Sequence, residues 1–540
     1  MYNYSKFMIM KLKNLFLAGL ALVCMTACSN DDDPQATPES SNAYMQLVLQ
    51  DANRSLSRTQ GSSEGEAIDG ESEVNTALVL LCNDEGVVQS KTVLGAMNVT
   101  GDQGKIETPV FQVQCKPETT YRVFVIANFN EEAFLAITEE VSNIKTIVSA
   151  TLESETDIKS HIANEGSFIM FNQSLGSDDY EGPQITITAK NTTIGHPATL
   201  EAPIKLDRLA TRIQTPDPIP LNINEVKTQW GLIEGVALKG YKLLNGAKNI
   251  NLQQKWVFAQ SGSNQGTYWN TLLTSATTYY NPISDFGNVV RTSTSGTYPE
   301  EYSSVVDNTS ELTAVGQPIY CLENNPSFSE DKGVEAKFNN TTGLLYQFQA
   351  TLTGTAKQEK NAASKAESTF GENTFFSYNG EYFATLASLN TKYPKVFTHN
   401  ITTDKLSNYE TACSELAEAK ISDGNPVQET ISAFRCAYNV KVYANGIMYY
   451  THYIKDTNYS QLLKEKKENT EGNVGKVYSV FRNSIYNLKI NSLKQIGTDI
   501  PGGWSPYLDA NTPIENDNLY MKVTVEVNPW VLSDQDIDLE

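Results

Sequence analysis

The residue with the most definite chemistry in this chain is Cys28. Small side chains at Thr26 and Ala27 precede it, and further upstream residues 15–23 form an apolar core behind the basic Lys11 and Lys13. That order reads as a secretory signal ending at a thiol that accepts a diacylglyceryl group and becomes the first residue after cleavage. The apolar core is well short of the roughly 20 residues a membrane-spanning helix needs. Cys24 is the poorer acceptor, because Leu22 and Val23 put bulky groups beside the cut. Residues 1–27 are therefore expected to be a lipoprotein signal peptide and Cys28 the lipidation site.

Other reactive patterns are sparse. His161, His196, His399 and His452 are scattered, with no second imidazole at the spacing of a zinc-binding helix. His452 falls in a strand pattern, where a packed or exposed ring is expected rather than a ligand. Gly61-Ser62-Ser63-Glu64-Gly65 has the spelling of a hydrolase nucleophile elbow. That chemistry needs a strand before the serine and a helix after it, and here the motif lies in a polar linker. Asp534, Asp536 and Asp538 share one face of an extended chain. They suit keeping an exposed strand soluble and blocking wrong pairing better than holding a cation. No catalytic residue, cofactor or metal site is expected, and the chain is not read as an enzyme.

Composition narrows the partners. Lys and Arg number 41 against 63 Asp and Glu, a net charge of −22, which argues against nucleic acid and anionic membrane surfaces. Aromatic residues make up 10%, with 27 Tyr, a mixture suited to exposed β-structure. Beyond the signal stand Cys82, Cys115, Cys321, Cys413 and Cys436, an odd number that leaves at least one thiol unpaired in the monomer. Cys82 with Cys115 and Cys413 with Cys436 are candidate pairs in an oxidising compartment, and spacing leaves the matter open.

The elements that must carry these residues are mostly strands. Residues 43–50 alternate, with Met45, Leu47 and Leu49 on one face. Residues 51–70 follow as a polar Ser/Gly/Glu stretch carrying Arg54 and Arg58, so one good strand is isolated by about 20 flexible residues. Strand patterns resume at 74–82, 87–94, 111–115 and 121–128; 133–152 has helical spacing; 185–189, 198–206 and 211 onward read as strands again. Pro216, Pro218 and Pro220 punctuate the chain, which sets a domain boundary near residue 222. In the second part 230–244, 255–259 and 344–352 read as strands, 260–310 as irregular surface, and 376–389 and 412–436 as short helical stretches. Asn445-Gly446 between 437–444 and 447–454 is a strong hairpin signal, and 484–493 and 519–527 close the series. Many short strands with few helices predict a mainly β protein of two β-sandwich domains, 59–222 and 223–540.

The C-terminal part is more specific. Phe481-Arg482-Asn483-Ser484-Ile485-Tyr486-Asn487-Leu488-Lys489-Ile490, followed by Leu493 and Gly497, resembles the Arg-Asn-x-x-Tyr signature strand of the Bacteroidales fimbrillins, or type V pilins. The stretch from Met521 to Trp530, closing on Asp536-Ile537-Asp538-Leu539, is similar to the ending of the major subunits of short (minor) fimbriae in particular. Gly446-Ile447-Met448-Tyr449-Tyr450 fits upstream. The lipidated cysteine, the strand at 43–50 and an arginine-bearing linker recur in the same order at the N-terminus. Asp31-Asp32-Asp33 resembles the surface-export signal of Bacteroidetes lipoproteins.

That resemblance implies two transthyretin-like β-sandwich domains and a precursor held in the outer membrane by its lipid. It implies an arginine-specific surface protease, here cutting after Arg58 or Arg54, so that residues 28–58 leave as a pro-segment. It also implies that a neighbouring copy then fills the vacated groove with a C-terminal strand. The donor is expected within 518–540, where Leu519, Met521, Val523, Val525 and Val527 share a strand face and Val531, Ile537 and Leu539 extend the apolar supply. The long proline-rich loop of short-fimbria subunits is reduced here to residues 501–517. The implied partners are copies of the chain in a fimbrial polymer, accessory tip and anchor subunits, and host or bacterial surface receptors. The expectation is a pilus-shaft subunit that supports adhesion, located in the fimbrium.

Losing a core strand exposes unpaired backbone and an apolar groove, an edge ready for strand addition. Five large apolar side chains returning to it contribute on the order of 8–15 kcal/mol gross. Alternatively, residues 518–540 complete their own domain's sheet. A different class of reading is a non-polymerising tip, anchor or glycan-binding surface lipoprotein, with Trp256, Trp269, Tyr279 and Tyr280 as a sugar platform. The mature N-terminus separates the two: acyl-Cys28 for an anchor or binder, Thr59 for a shaft subunit.

Overall fold

The fold comes from a computed structural model. It describes residues 41–51, 65–66, 71–97, 105–129, 136–148, 151–153, 167–173, 182–216, 221–254, 256–259, 269–272, 312–324, 341–363, 367–417, 428–456, 478–499 and 521–531, less a few short gaps inside these spans.

The first strands are β1 (Ser41–Met45), β2 (Val48–Asp51) and β3 (Gly65–Glu66), then the hairpin β4 (Ala77–Cys82) and β5 (Val88–Leu94). β6 (Lys105–Glu107), β7 (Phe111–Cys115) and β8 (Thr119–Ala127) follow, then β9 (Thr151–Glu153), β10 (Met170–Asn172) and β11 (Gln184–Ile187). β12 (Ile204–Arg208) and β13 (Ala210–Gln214) come next. One sheet runs β5-β4-β8-β10-β12-β2-β6, with β11 on the N-terminal part of β8; β1 and β7 form a separate pair.

Both faces of this sheet are covered, which explains why β4 reads as an unbroken apolar run rather than an alternation. Ala77, Val79 and Leu81 point into the main core with Met45, Leu47, Leu49, Phe111 and Val113. Leu78, Leu80 and Cys82 point the other way, under Ile137, the helix Ile144–Val148, and Ile250 and Leu252 from further along the chain.

The later strands are β14 (Ile233–Leu244), β15 (Asn249–Asn251), β16 (Trp256–Ala259), β17 (Trp269–Leu272), β18 (Ile319–Leu322) and β19 (Gly343–Leu352). β20 (Phe375–Tyr378), β21 (Glu381–Phe383), β22 (His399–Asn400) and β23 (Lys405–Leu406) precede β24 (Lys441–Tyr443), β25 (Ile447–Tyr453), β26 (Ser484–Leu493) and β27 (Met521–Val531). One sheet is ordered β18-β13-β26-β27-β3 and another β14-β19-β25. The chain changes sheets at Leu209, a fully buried residue between β12 and β13 and upstream of the proline-rich stretch. Between β19 and β25, two strands that pair with each other, the chain makes an excursion with its own aromatic core. There the helices Gly354–Ala362, Leu386–Lys392, Tyr409–Ala417 and Gln428–Tyr438 surround the small sheet β21-β20-β24.

The molecule is mainly β with a few short helices, as expected from the sequence. Three local expectations differ. Among the described residues of 133–152 the helical spacing yields the helix Ile144–Val148 alone, and β9 begins at Thr151. Residues 376–389 begin not as helix but as the β20-β21 hairpin, because Asn379 and Gly380 both adopt positive φ (51° and 78°) and close a tight turn. Asn445 and Gly446 also have positive φ, yet they join no hairpin: β24 pairs with β20 and β25 with β19.

Candidate functional site

The segment 41–51 serves two sheets in succession. β1 lies antiparallel to β7, with Ala43 opposite Val113 and Met45 opposite Phe111. After Gln46 and Leu47 the chain enters the large sheet as β2, parallel to β12 and antiparallel to β6. The alternation of side chains is not broken at the switch. Ala43, Met45, Leu47 and Leu49 are at most 1% exposed, while Tyr44, Gln46, Val48 and Gln50 are half-buried. The expected apolar face of residues 43–50 is thus a core face, and burying Met45, Leu47 and Leu49 contributes about 5–9 kcal/mol gross.

Backbone pairing holds the switch closed. Gln46 N donates to Ala198 O at 3.0 Å, and Ala198 N donates to Tyr44 O at 2.8 Å. On the other side Thr108 N donates to Leu47 O at 2.9 Å, while Leu47 N donates to the Thr108 hydroxyl at 3.0 Å. A strand between two others has both of its backbone edges in use. Its departure leaves the facing edges of β12 and β6, Thr108 and an apolar floor without partners, and such groups are costly to leave bare.

The linker after this segment is tied at both ends. Asp51 pairs with Leu206, and Gly65 and Glu66 run parallel to Trp530 and Val531 at the end of β27. Arg54 and Arg58 lie between these points, outside the described residues, as do Cys28 and most of the Gly61–Gly65 motif. Just beyond, the Glu71 carboxylate is fully buried and accepts from the Arg212 guanidinium at 2.5 Å and the Tyr320 hydroxyl at 2.6 Å. Arg208 Nε donates to the Glu71 carbonyl at 3.1 Å, and its other end donates to Asn483 Oδ1 at 3.0 Å. Reading the sequence missed Glu71, Arg208 and Arg212, since charged residues are read as surface until their partners are known.

The same junction gives the Arg482-Asn483-x-x-Tyr486 pattern its physical content. Arg482 donates to Glu323 at 2.6 Å and to the carbonyls of Leu252 and Asn251 at 2.7 and 2.8 Å. Asn483 turns the chain into β26 with a positive φ of 55° and bridges Arg208 to Asp207. The Tyr486 hydroxyl donates to Asp456 at 2.7 Å and accepts from Phe481 N at 2.9 Å. Each polar member ties β26 to a different stretch of chain, so the motif locks the sheet change.

Of the expected donor residues, Met521, Val523, Val525 and Val527 lie on β27, paired with Leu493, Ile490, Leu488 and Tyr486 of β26. Met521 is buried and Val523 packs half-buried on the main core. Residues 521–531 thus complete a sheet of their own chain. Val531 pairs with Glu66 through the backbone, while Leu519, Ile537, Leu539 and the three alternating aspartates fall outside the described residues.

The remaining candidates are spread through the fold. Cys82 and Cys115, a candidate pair that spacing left open, are buried free thiols belonging to different core clusters; burial pushes them up to about 12 and about 11. Cys413 is a buried free thiol too, raised to about 11, and Cys436 has no described side chain. His452 is buried on β25, whereas His196 and His399 are exposed. Trp256 and Trp269 sit on the β16-β17 pair opposite Leu272 and Ala259. Among the described residues no group of three His, Cys, Asp or Glu is arranged to hold a metal ion, and no helix is long and apolar enough to cross a membrane.

Comparison with known proteins adds two matches, one to each end of the fold. Residues 43–208 match the model of the major fimbrial subunit protein (FimA) family. Residues 441–536 match the model described as major fimbrial subunit protein type IV, fimbrillin, C-terminal. The first span opens on the inserted strand and ends where the chain changes sheets; the second holds β24 to β27. No curated protein matches the chain. Among solved structures, a fimbrilin from Porphyromonas gingivalis is 14% identical, with 92% of this chain and 99% of that one covered and a TM-score of 0.40. A candidate cell adhesion protein from Bacteroides eggerthii is 11% identical, with 92% and 99% covered and a TM-score of 0.41. A tip fimbrial protein from P. gingivalis, truncated at its C-terminus, is 13% identical, with 91% and 100% covered and a TM-score of 0.34.

Proposed function

We propose that this chain is a Bacteroidales fimbrillin, a structural subunit of a cell-surface fimbria that polymerises by exchanging strands after proteolysis. The two family matches support the fimbrial assignment. The observation that carries the rest is the position of the 41–51 segment: β1 pairs with β7 and β2 lies between β12 and β6, with one buried face along both, yet the segment joins the body of the protein through a linker bearing Arg54 and Arg58. A core strand so connected can be removed by one cut.

In this reading Cys28 tethers the precursor to the outer membrane by its lipid. An arginine-specific surface protease cuts after Arg58, or after Arg54, and residues 28–58 leave with the lipid, taking β1 and β2. The track between β12 and β6 then receives the C-terminal strand of a neighbouring copy. β27 pairs with β26 from Met521 to Pro529, so the donor is the chain after Trp530, with Val531, Ile537 and Leu539 as its apolar groups. Tip and anchor subunits cap the polymer, which serves adhesion to host or bacterial surfaces.

The mature N-terminus tests this directly. Mass spectrometry of polymer taken from the cell surface is expected to give Thr59 as first residue. Acylated Cys28 at the N-terminus of assembled material would overturn the cut and favour an anchor or binding lipoprotein. An Arg54→Ala, Arg58→Ala double variant is expected to stay lipidated and monomeric, and ladders from it on unheated gels would exclude the proteolytic trigger.

A further inference from the structure

β2 has a charged border. Gln50 is the Cα partner of Lys205 on β12 and, on its other side, of Lys105 on β6. All three stand on the outer face: their chain neighbours Leu49, Ile106 and Ile204 are at most 2% exposed, while Lys205 is exposed and Lys105 and Gln50 are half-buried. Arg122 lines the same open cleft as Lys205. One neutral amide thus lies between two lysines, in a chain whose net charge is −22. Acids share this border: Glu107 sits two residues from Lys105, opposite Val48, and Asp207 two residues beyond Lys205 on β12.

We propose that Lys105 and Lys205 form an electrostatic gate that admits an acidic strand to the vacated track, the occupant being residues 532–540 of a second copy. The inference rests on the strand-exchange reading and adds what the track recognises. Along 532–540 the chain alternates Asp534, Asp536, Asp538 and Glu540 with Ser533, Gln535, Ile537 and Leu539. Successive side chains of a strand point to opposite faces. With Ile537 and Leu539 turned inward, where Leu47 and Leu49 had been, the four carboxylates line the outer face and one of them reaches the position between the lysines. The departing strand offers an amide there and the incoming strand a charge. Paired charges at this exposure act mainly on encounter rate and register, and salt weakens them. The alternating acids that a sequence reading takes as a block to wrong pairing become the specification of the right partner.

The test uses the full precursor, cut with an arginine-specific protease and followed by light scattering and by ladders on unheated gels. A Lys105→Glu, Lys205→Glu variant should assemble about tenfold more slowly and lose the salt sensitivity of the parent. Both lysines lie on the outer face, and an unchanged melting temperature will show that the variant folds. Pairing it with an Asp534→Lys, Asp536→Lys, Asp538→Lys, Glu540→Lys donor, which adds no arginine and so no new cut, should restore most of the rate. An unaltered rate in the lysine variant, or no rescue by the reversed donor, overturns the gate. Deleting 532–540 separates the two levels: no polymer from the deletion together with normal assembly of the lysine variant sinks the gate alone, while polymer from the deletion sinks the strand-exchange reading as well. A synthetic 532–540 peptide should bind the cut monomer more tightly than the same peptide with its four acids replaced by Asn or Gln. Equal binding likewise overturns the gate.

Discussion

The Arg212 guanidinium donates to the Glu71 carboxylate at 2.5 Å, and both side chains are buried. Tyr320 and Arg208 converge on the same residue. Glu71 stands shortly after the linker, so these bonds fasten the stretch that follows the linker to the place where the chain changes sheets. Glu71→Gln leaves Arg212 buried without its counter-charge, and breaking such a pair costs about 3–5 kcal/mol. Urea unfolding should show that loss in cut and uncut protein alike. An unchanged midpoint would remove Glu71 from this role.

Thr108 should control how fast the first strand leaves. Its hydroxyl accepts from Leu47 N at 3.0 Å and its own N–H donates to Leu47 O, and both residues are buried. Thr108→Val keeps the shape but strands the Leu47 N–H, at about 1–3 kcal/mol. In the proposed processing Leu47 belongs to the segment that is discarded, so the variant should release the 28–58 fragment sooner after cleavage. Timed gel filtration of the cut protein measures this, and a parental half-life would refute it.

How much of this was legible depends on whether a residue's partners were near it in sequence. The alternation of Met45, Leu47 and Leu49 needs only the period of a strand, and it survives the step from β1 to β2 because Gln46 and Leu47 keep the phase. That β2 lies between β12 and β6 depends on contacts some 60 and 155 positions away, which no local pattern encodes. Glu71, Arg208 and Asn483 were illegible for the same reason, since each looks like a surface residue until the others are seen. The Arg-Asn-x-x-Tyr motif could be recognised but not explained without Glu323, Asp207 and Asp456.

Two of the three Asn-Gly pairs, Asn379-Gly380 and Asn445-Gly446, show what a turn signal does specify. Both adopt positive φ, but only Asn379-Gly380 joins strands of one sheet, because β24 is drawn to β20 and β25 to β19. At Gly446 a Cβ would stand 2.3 Å from the Ala350 carbonyl oxygen, with φ at 74°. Gly446→Ala therefore combines backbone strain of about 1–2 kcal/mol with a collision against main chain. A stability loss greater than the strain alone is expected in thermal unfolding, whereas Gly380→Ala, with nothing within 4 Å, should lose only the strain. Equal losses at the two sites would show that the carbonyl moves aside at little cost.

Lys360 gives the excursion between β19 and β25 a pH dependence of known sign. Its side chain is buried, donates to the Thr374 carbonyl and lies 6.0 Å from the centre of the Phe376 ring. Burial lowers its pKa to about 8, against a partial upward pull from Glu367. A lysine whose folded pKa is depressed costs stability while it must be charged. The cost is complete below about pH 8 and declines as pH rises toward the unfolded value of 10.5. The neighbouring tyrosines have raised values, Tyr438 to about 12, so their opposite effect begins only as unfolded tyrosines ionise near pH 10. Between pH 8 and about 9.5 the melting temperature of the parent should therefore gain a rising component that Lys360→Met lacks. Lys441 of the same region is lowered as well and is common to both proteins, so the difference between the two curves isolates Lys360. Parallel curves across that window would mean that Lys360 keeps an ordinary pKa in the folded protein.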